Sequence, residues 1–118
     1  MKTKGGEIQP RFRVRLGKDI AFGPGKADLL EQVRETGSIA EAAEQLGMSY
    51  MRAWTLIKTM ERSFAEPLLK VSRGGAEHGG AKLTANGVKV LKLYREMEAE
   101  SLRATSGIRK RLLKLLRG

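Results

Sequence analysis

The chain contains no cysteine, which removes disulfides, thiolate metal sites and cysteine nucleophiles together. It has a single histidine, His78, with no partner ligands in the sequence around it. A histidine-based triad or a two-histidine metal site therefore has too little to build on. No apolar run approaches the roughly 20 residues of a membrane span. The first ten residues, MKTKGGEIQP, lack the apolar stretch of a secretory signal. A cytoplasmic protein is the default expectation. No convergent pair of carboxylates can be named, so no reaction centre, cofactor or metal site is expected.

What the chain does have is positive charge. Its 118 residues suit one domain with an appendage, and Lys and Arg number 23 against 13 Asp and Glu, a net of +10. Such a balance points to a polyanionic partner, either nucleic acid or an anionic membrane surface. The excess is uneven. Residues 1–24 carry six basic and two acidic side chains, and residues 101–118 carry six basic and none acidic. Between them, residues 26–48 are acidic and residues 49–82 basic.

Phe12, Val14 and Leu16 alternate with Arg11, Arg13 and Arg15, the period of a strand with one basic face. Gly17 and Lys18 can turn the chain so that Asp19 to Phe22 return as a second strand. Ala27, Leu29, Leu30 and Val33 then follow helical spacing up to a stop at Gly37. Ser38 and Glu41 form a capping-box pattern opening a short helix with Ile39, Ala42, Ala43 and Leu46 on one side. Gly47 breaks that helix, and Ser49 is placed to cap another from Tyr50 to about Ala65, ended by Glu66 and Pro67.

Leu68 to Ser72 and Ala81 to Leu83 read as two strands around the glycine-rich loop 73–80. Thr84 caps a long helix with Val88, Leu91, Tyr94 and Met97 at helical spacing, interrupted at Thr105, Ser106 and Gly107. Ile108 to Leu116 reads as a short basic amphipathic helix. The expected organisation is a flexible 1–10, a domain over 11–100 and a basic tail over 101–118. The fold class is mainly α with small β-hairpins: a winged helix-turn-helix with a long C-terminal helix.

The second helix of such a pair can lie in the major groove, whose edges distinguish all four base pairs. On a helical wheel Ala53, Ile57, Met60 and Phe64 share the core direction, with Tyr50 near it. Met51, Thr55, Lys58 and Arg62 fall opposite, and Ser49, Tyr50 and Arg52 stand at the N-terminal end, where base edges and phosphates are met first. Arg73, His78 and Lys82 flank glycines, including Gly74 and Gly75, whose lack of Cβ allows close approach to a sugar-phosphate backbone. The DNA-binding candidates are therefore Ser49, Tyr50, Met51, Arg52, Thr55, Lys58, Arg62, Arg73, Gly74, Gly75, His78 and Lys82. Trp54 is expected on a flank, packing partly against the wing.

Residues 37–54, GSIAEAAEQLGMSYMRAW, resemble the helix-turn-helix of molybdate-responsive ModE-type regulators. The Gly-Ser-Ile opening and the Ser-Tyr-x-x-Ala-Trp element are its distinctive parts. Gly74-Gly75, Gly79-Gly80 and the Leu83-Thr84-x-x-Gly87 pattern resemble that family's wing and following helix, and the last is shared with LysR-type domains more broadly. The resemblance spans about residues 11–100. It implies a dimeric binder of double-stranded DNA, with the helix after Thr84 and the N-terminal region available for dimer contacts. The family's larger members bind molybdate in a separate C-terminal domain. This sequence stops where that domain would begin, so no molybdate site is carried over.

The tail stays open between extra dimer contact or docking on the body, non-specific DNA affinity and disorder. Its leucines and arginines, with the neutral middle of the chain, motivate an alternative: a winged helix for protein interaction or membrane-surface docking, without specific DNA binding.

Overall fold

A computed structural model describes residues 5–72 and 80–117. The chain opens with an antiparallel hairpin of β1 (Val14–Leu16) and β2 (Asp19–Phe22), followed by α1 (Pro24–Thr36), α2 (Ile39–Gln45) and α3 (Tyr50–Ser63). A second antiparallel hairpin, β3 (Leu69–Val71) with β4 (Ala81–Leu83), leads into α4 (Ala85–Ala104) and α5 (Ser106–Leu113). This is a winged helix-turn-helix with a long C-terminal helix.

The centre is α1. Ala27, Leu29, Leu30 and Val33 are all withdrawn from water, and the helix touches β2, α2, α3, β4 and α4. Pro24 suits its first position because a proline there forfeits no helical hydrogen bond. Phe22 closes one end of the core, edge-on to Phe64 at 6.2 Å and to Tyr94 at 5.1 Å between ring centres. The Tyr94 hydroxyl donates to the Phe12 carbonyl at 2.7 Å, fastening the segment before β1 to α4.

The expected apolar face of residues 12–16 is only partly used. Phe12 packs on the core, whereas Val14 and Leu16 are exposed. The register slips between Val14 and Arg15, and this irregularity breaks the alternation that a flat strand would keep. The buried end of the hairpin is carried by Ala21 and Phe22 instead.

Ser38 caps α2 as expected, its hydroxyl accepting from the Glu41 N–H at 3.1 Å. The other half of the capping box is not made. The Ser38 N–H donates to the Thr36 hydroxyl at 3.2 Å, so Glu41 has nothing to reach back for. The turn into α3 rests on Gly47, whose φ of 67° favours glycine. There the Met48 N–H donates to the Ala43 carbonyl at 3.0 Å. Ser49 caps α3 by accepting from the Arg52 N–H at 3.0 Å. Phe64 turns to an extended backbone, so α3 stops at Ser63 rather than Ala65.

The base of the second hairpin is locked to α4. Thr84 donates its hydroxyl to the Pro67 carbonyl at 2.6 Å and accepts from the Gly87 N–H at 3.0 Å. The Leu68 carbonyl accepts from the Thr84 N–H at 3.0 Å, one residue before β3, which starts at Leu69 and not at the expected Leu68. At the other end β4 is tied to the helix-turn-helix, since the Ala81 N–H donates to the Gly37 carbonyl at 2.9 Å. Helix α4 runs unbroken past residue 100. The interruption at Thr105 is a single non-helical residue, beyond which α5 is helical from Ser106 and ends at Leu113, short of the expected Leu116.

Gly87 is the tightest point of the fold. A Cβ there would overlap the Leu68 carbonyl oxygen and come within 3.0 Å of its carbon, and backbone cannot swing aside as a side chain can. Gly87→Ala is expected to cost about 3 kcal/mol, the upper part of the range for overpacking. Urea unfolding monitored by circular dichroism measures it; an unchanged midpoint would show that β3 can yield.

Candidate nucleic-acid interface

The two faces of α3 separate cleanly. Ala53, Leu56, Ile57 and Met60 are buried, whereas Met51, Arg52, Thr55, Lys58 and Arg62 are exposed. Met51, at 77% exposure, is a large apolar side chain left in water, a costly choice for a surface with no partner. Tyr50 lies not near the core but 53% exposed, its ring set edge-on to the half-buried Trp54 at 6.2 Å.

Chemistry along this face is specific. The Ser49 hydroxyl is engaged by its cap, so its acceptor lone pair serves the helix. The Thr55 hydroxyl donates to the Met51 carbonyl at 3.1 Å. That leaves its oxygen free only to accept, and its methyl free for apolar contact, a combination matching an exocyclic amine or a thymine methyl in the major groove. Lys58 makes no hydrogen bond or ion pair with the described residues and points a free charge outward.

Arg62 differs from the rest of the expected phosphate-contacting set. Its guanidinium grips the Asp19 carboxylate with two bonds, at 3.0 and 3.2 Å, across 43 residues of sequence. The pair holds the Asp19 carboxyl below its ordinary range, chiefly through those hydrogen bonds, and raises the Arg62 value for the same reason. Both groups lie in solvent, so the pair orients Arg62 more than it stabilises the fold.

Of the wing candidates, Arg73, Gly74, Gly75 and His78 lie outside the described residues. Lys82 is described, exposed on β4, and it stands directly across from Lys70 on β3. Like charges facing each other across a strand pair repel, so this pair concentrates positive charge at the base of the second hairpin. Both lysines line a shallow groove with Gly37, Ser72, Gly80 and Ala81, beside the turn into α2.

Sequence reasoning missed Lys70, and it also missed Lys26. Only 9% of Lys26 is exposed, yet among the described residues it makes no hydrogen bond or ion pair. Burial pushes its ammonium below the ordinary lysine value, and Arg52 adds to the effect; Asp19 opposes it and Arg62 reinforces it. The signal was present in the spacing, since Lys26, Leu30 and Val33 stand at i, i+4 and i+7 on one stripe of α1.

Comparison with known proteins agrees with this geometry. Residues 26–88 match the family of bacterial regulatory helix-turn-helix proteins of the lysR family. The chain is 36% identical over 106 residues to the molybdenum transport protein ModE of Azotobacter vinelandii, covering 86% of this chain and 39% of that protein. It is 35% identical over 91 residues to the molybdenum-pterin-binding protein MopB of Rhodobacter capsulatus, covering 77% and 34%. Against the DNA-binding transcriptional dual regulator ModE of Escherichia coli K12 it is 32% identical over 81 residues, covering 69% and 31%. The chain thus spans between about a third and two fifths of these relatives' length. Regulators, not enzymes, are what the family comprises.

The state of Lys26 has a measurable consequence for stability. Its folded-state value lies below the unfolded one, so the charged form is penalised at neutral pH and the penalty fades as the pH rises toward the unfolded value. Lys26→Met is expected to raise the Tm of the DNA-free protein at pH 7 and to lose that advantage in strongly alkaline buffer. A lower Tm at pH 7 would mean that the ammonium is a net asset to the fold.

Proposed function

Because the chain belongs to the lysR family of bacterial regulatory helix-turn-helix proteins, we propose that it is a homodimeric regulator of transcription reading a two-fold-related site on double-stranded DNA. Helix α3 enters the major groove, and the wing over residues 73–82 lies on the backbone or in the minor groove. The observation that carries this reading is the exposed face of α3. Met51, Arg52, Thr55 and Lys58 are exposed together, the side chains of Arg52 and Lys58 without a hydrogen bond or ion pair among the described residues, on a helix whose opposite face is committed to the core. Most of the affinity comes from phosphate contacts by Lys58, the wing lysines and helix N-termini, and the discrimination from Arg52 and Thr55. The protein works in the cytoplasm, where its DNA is. Among the described residues no helix is long and apolar enough to cross a membrane.

Dimerisation is supported by α4. Leu91 and Tyr94 face the core, but Leu93 is 55% exposed, and Met97 one turn later is exposed as well. Leu93 and Met97 lie on the same side of the helix, away from α1, where a second copy can cover them. Beyond Thr105 the exposed Ile108 and Leu112 of α5 offer a continuation of that contact. The relatives' names that refer to molybdenum give no residue of this chain a role, and the proposal is confined to DNA.

Gel shifts on random and selected duplexes at low salt test the whole reading. Salt-dependent binding is expected; its absence would leave the protein-interaction or membrane-docking alternative in place. Arg52→Ala or Thr55→Ala should change the preferred base at one position by about 1–3 kcal/mol, whereas an equal loss on every sequence would demote the residue to positioning. Lys58→Ala should weaken binding on all sequences and lower the salt slope by about one. For the dimer, Leu93→Glu is expected to shift the sedimentation coefficient to that of a monomer, and an unchanged value would move the interface off α4.

A further inference from the structure

We infer that the cluster of Lys26, Arg52 and Arg62 about Asp19 is a binding site for a phosphodiester of the DNA backbone, with Lys26 its central positioning residue. The inference rests on the reading of α3 as the DNA-facing helix, since Arg52 belongs to that helix's first turn.

Three observations meet there. Charge comes first. Lys26 lies within electrostatic reach of Arg52, Arg62 and Asp19, and Arg62 takes both oxygens of the Asp19 carboxylate. Lys26 and Arg52 are left without an anionic partner among the described residues. The second is the backbone. Helix α1 begins at this cluster with Gly23 as its cap, which provides no side-chain acceptor, and with Pro24, which has no N–H. The N–H groups of Gly25 and Lys26 therefore have no intrahelical acceptor, and they sit at the positive end of the helix dipole. A lysine in that first turn, with no acidic residue to offset it, is the wrong charge for the helix alone. An anion at the same place satisfies the N–H groups and the ammonium together.

The third observation is rigidity. The stem of Lys26 is packed along the α1 stripe, so its charge is held in place and loses little freedom on meeting a phosphate. The Arg13 side chain also passes beside Gly23, its Cγ within 3.8 Å of where a Cβ would stand, which adds a further basic side chain near the end of α1.

Fluorescence anisotropy of the full chain on a labelled random-sequence duplex, titrated between about 50 and 200 mM salt, tests the inference. Lys26→Met should weaken binding about tenfold at the low-salt end and reduce the slope of log K against log salt by about one. Lys26→Arg should restore both. Asp19→Asn, which removes the competing carboxylate without touching the core, should strengthen binding and steepen the slope. Unchanged affinity and slope in Lys26→Met, with wild type binding normally, would overturn the site and leave the DNA reading standing. Failure of the wild type to bind would overturn both. A rise in wild-type Tm with inorganic phosphate at constant ionic strength, abolished by Lys26→Met, would reassign the cluster to a free anion.

Discussion

The burial of α1 is the constraint on which the rest of the structure depends. Thirteen residues long, this helix touches both hairpins and three other helices. A helix that short is not stable alone in water and holds its form because neighbours cover its apolar stripe. Each fully buried leucine in it contributes about 2 kcal/mol, and those leucines set the positions of α2 and α3 through shared packing. The angle at which α3 presents its outer face follows from that packing and from the left-handed backbone at Gly47. Neither could be adjusted without opening the core.

A crowded central helix also sorts charge to its rims. On one side Asp28 and Glu31 reach the Arg95 guanidinium of α4 at 2.9 and 2.6 Å, and Glu98 joins at 3.0 Å. Burial works against the charge on Arg95, but the hydrogen bonds it donates to Asp28, Glu31 and Glu98 outweigh it and raise its proton affinity. On the other side Lys26 meets Arg52 and Arg62 with Asp19 alone to balance them. One rim is therefore left in acidic excess, three carboxylates to one guanidinium, and the other in cationic excess among the described residues. The acidic character of residues 26–48 and the basic character of 49–82 thus acquire a spatial meaning. Asp28 and Glu31 are turned toward α4, and Arg52, Lys58 and Arg62 lie on the exposed side of α3.

Much of this was legible in the sequence because it is written locally. Ser38, Ser49 and Thr84 announce helix starts through a hydroxyl that serves an N–H three residues on, and Gly37 and Gly47 announce stops through the sign of φ. The fold class and the exposed row on α3 follow from those marks and the 3.6-residue period. What was not legible depends on residues far apart in the chain. Nothing near Asp19 or Arg62 indicates that they will pair across 43 positions. Only the closed hairpin brings Val14 and Leu16 out of the core, and only the strand register puts Lys70 opposite Lys82. Lys26 is the instructive miss. Its spacing puts it on the buried stripe, whereas a lysine side chain ordinarily lies in solvent.

The same residue shows how function bends an otherwise consistent design. A sequence selected for stability alone would put an acid in the first turn of α1 and an apolar side chain on its stripe. This one does neither. Asp19 is the nearest candidate to make good the deficit, and it is occupied by Arg62, which draws the carboxylate away and leaves the ammonium of Lys26 uncompensated. Replacing Arg62 would free that carboxylate for Lys26 and settle the charge. That the chain keeps its cationic excess next to the exposed face of α3, and its acidic excess at the Arg95 rim, is the arrangement a polyanion selects. Net charge alone says only that some polyanion is attracted; the uncompensated lysine says on which side of α1 it sits.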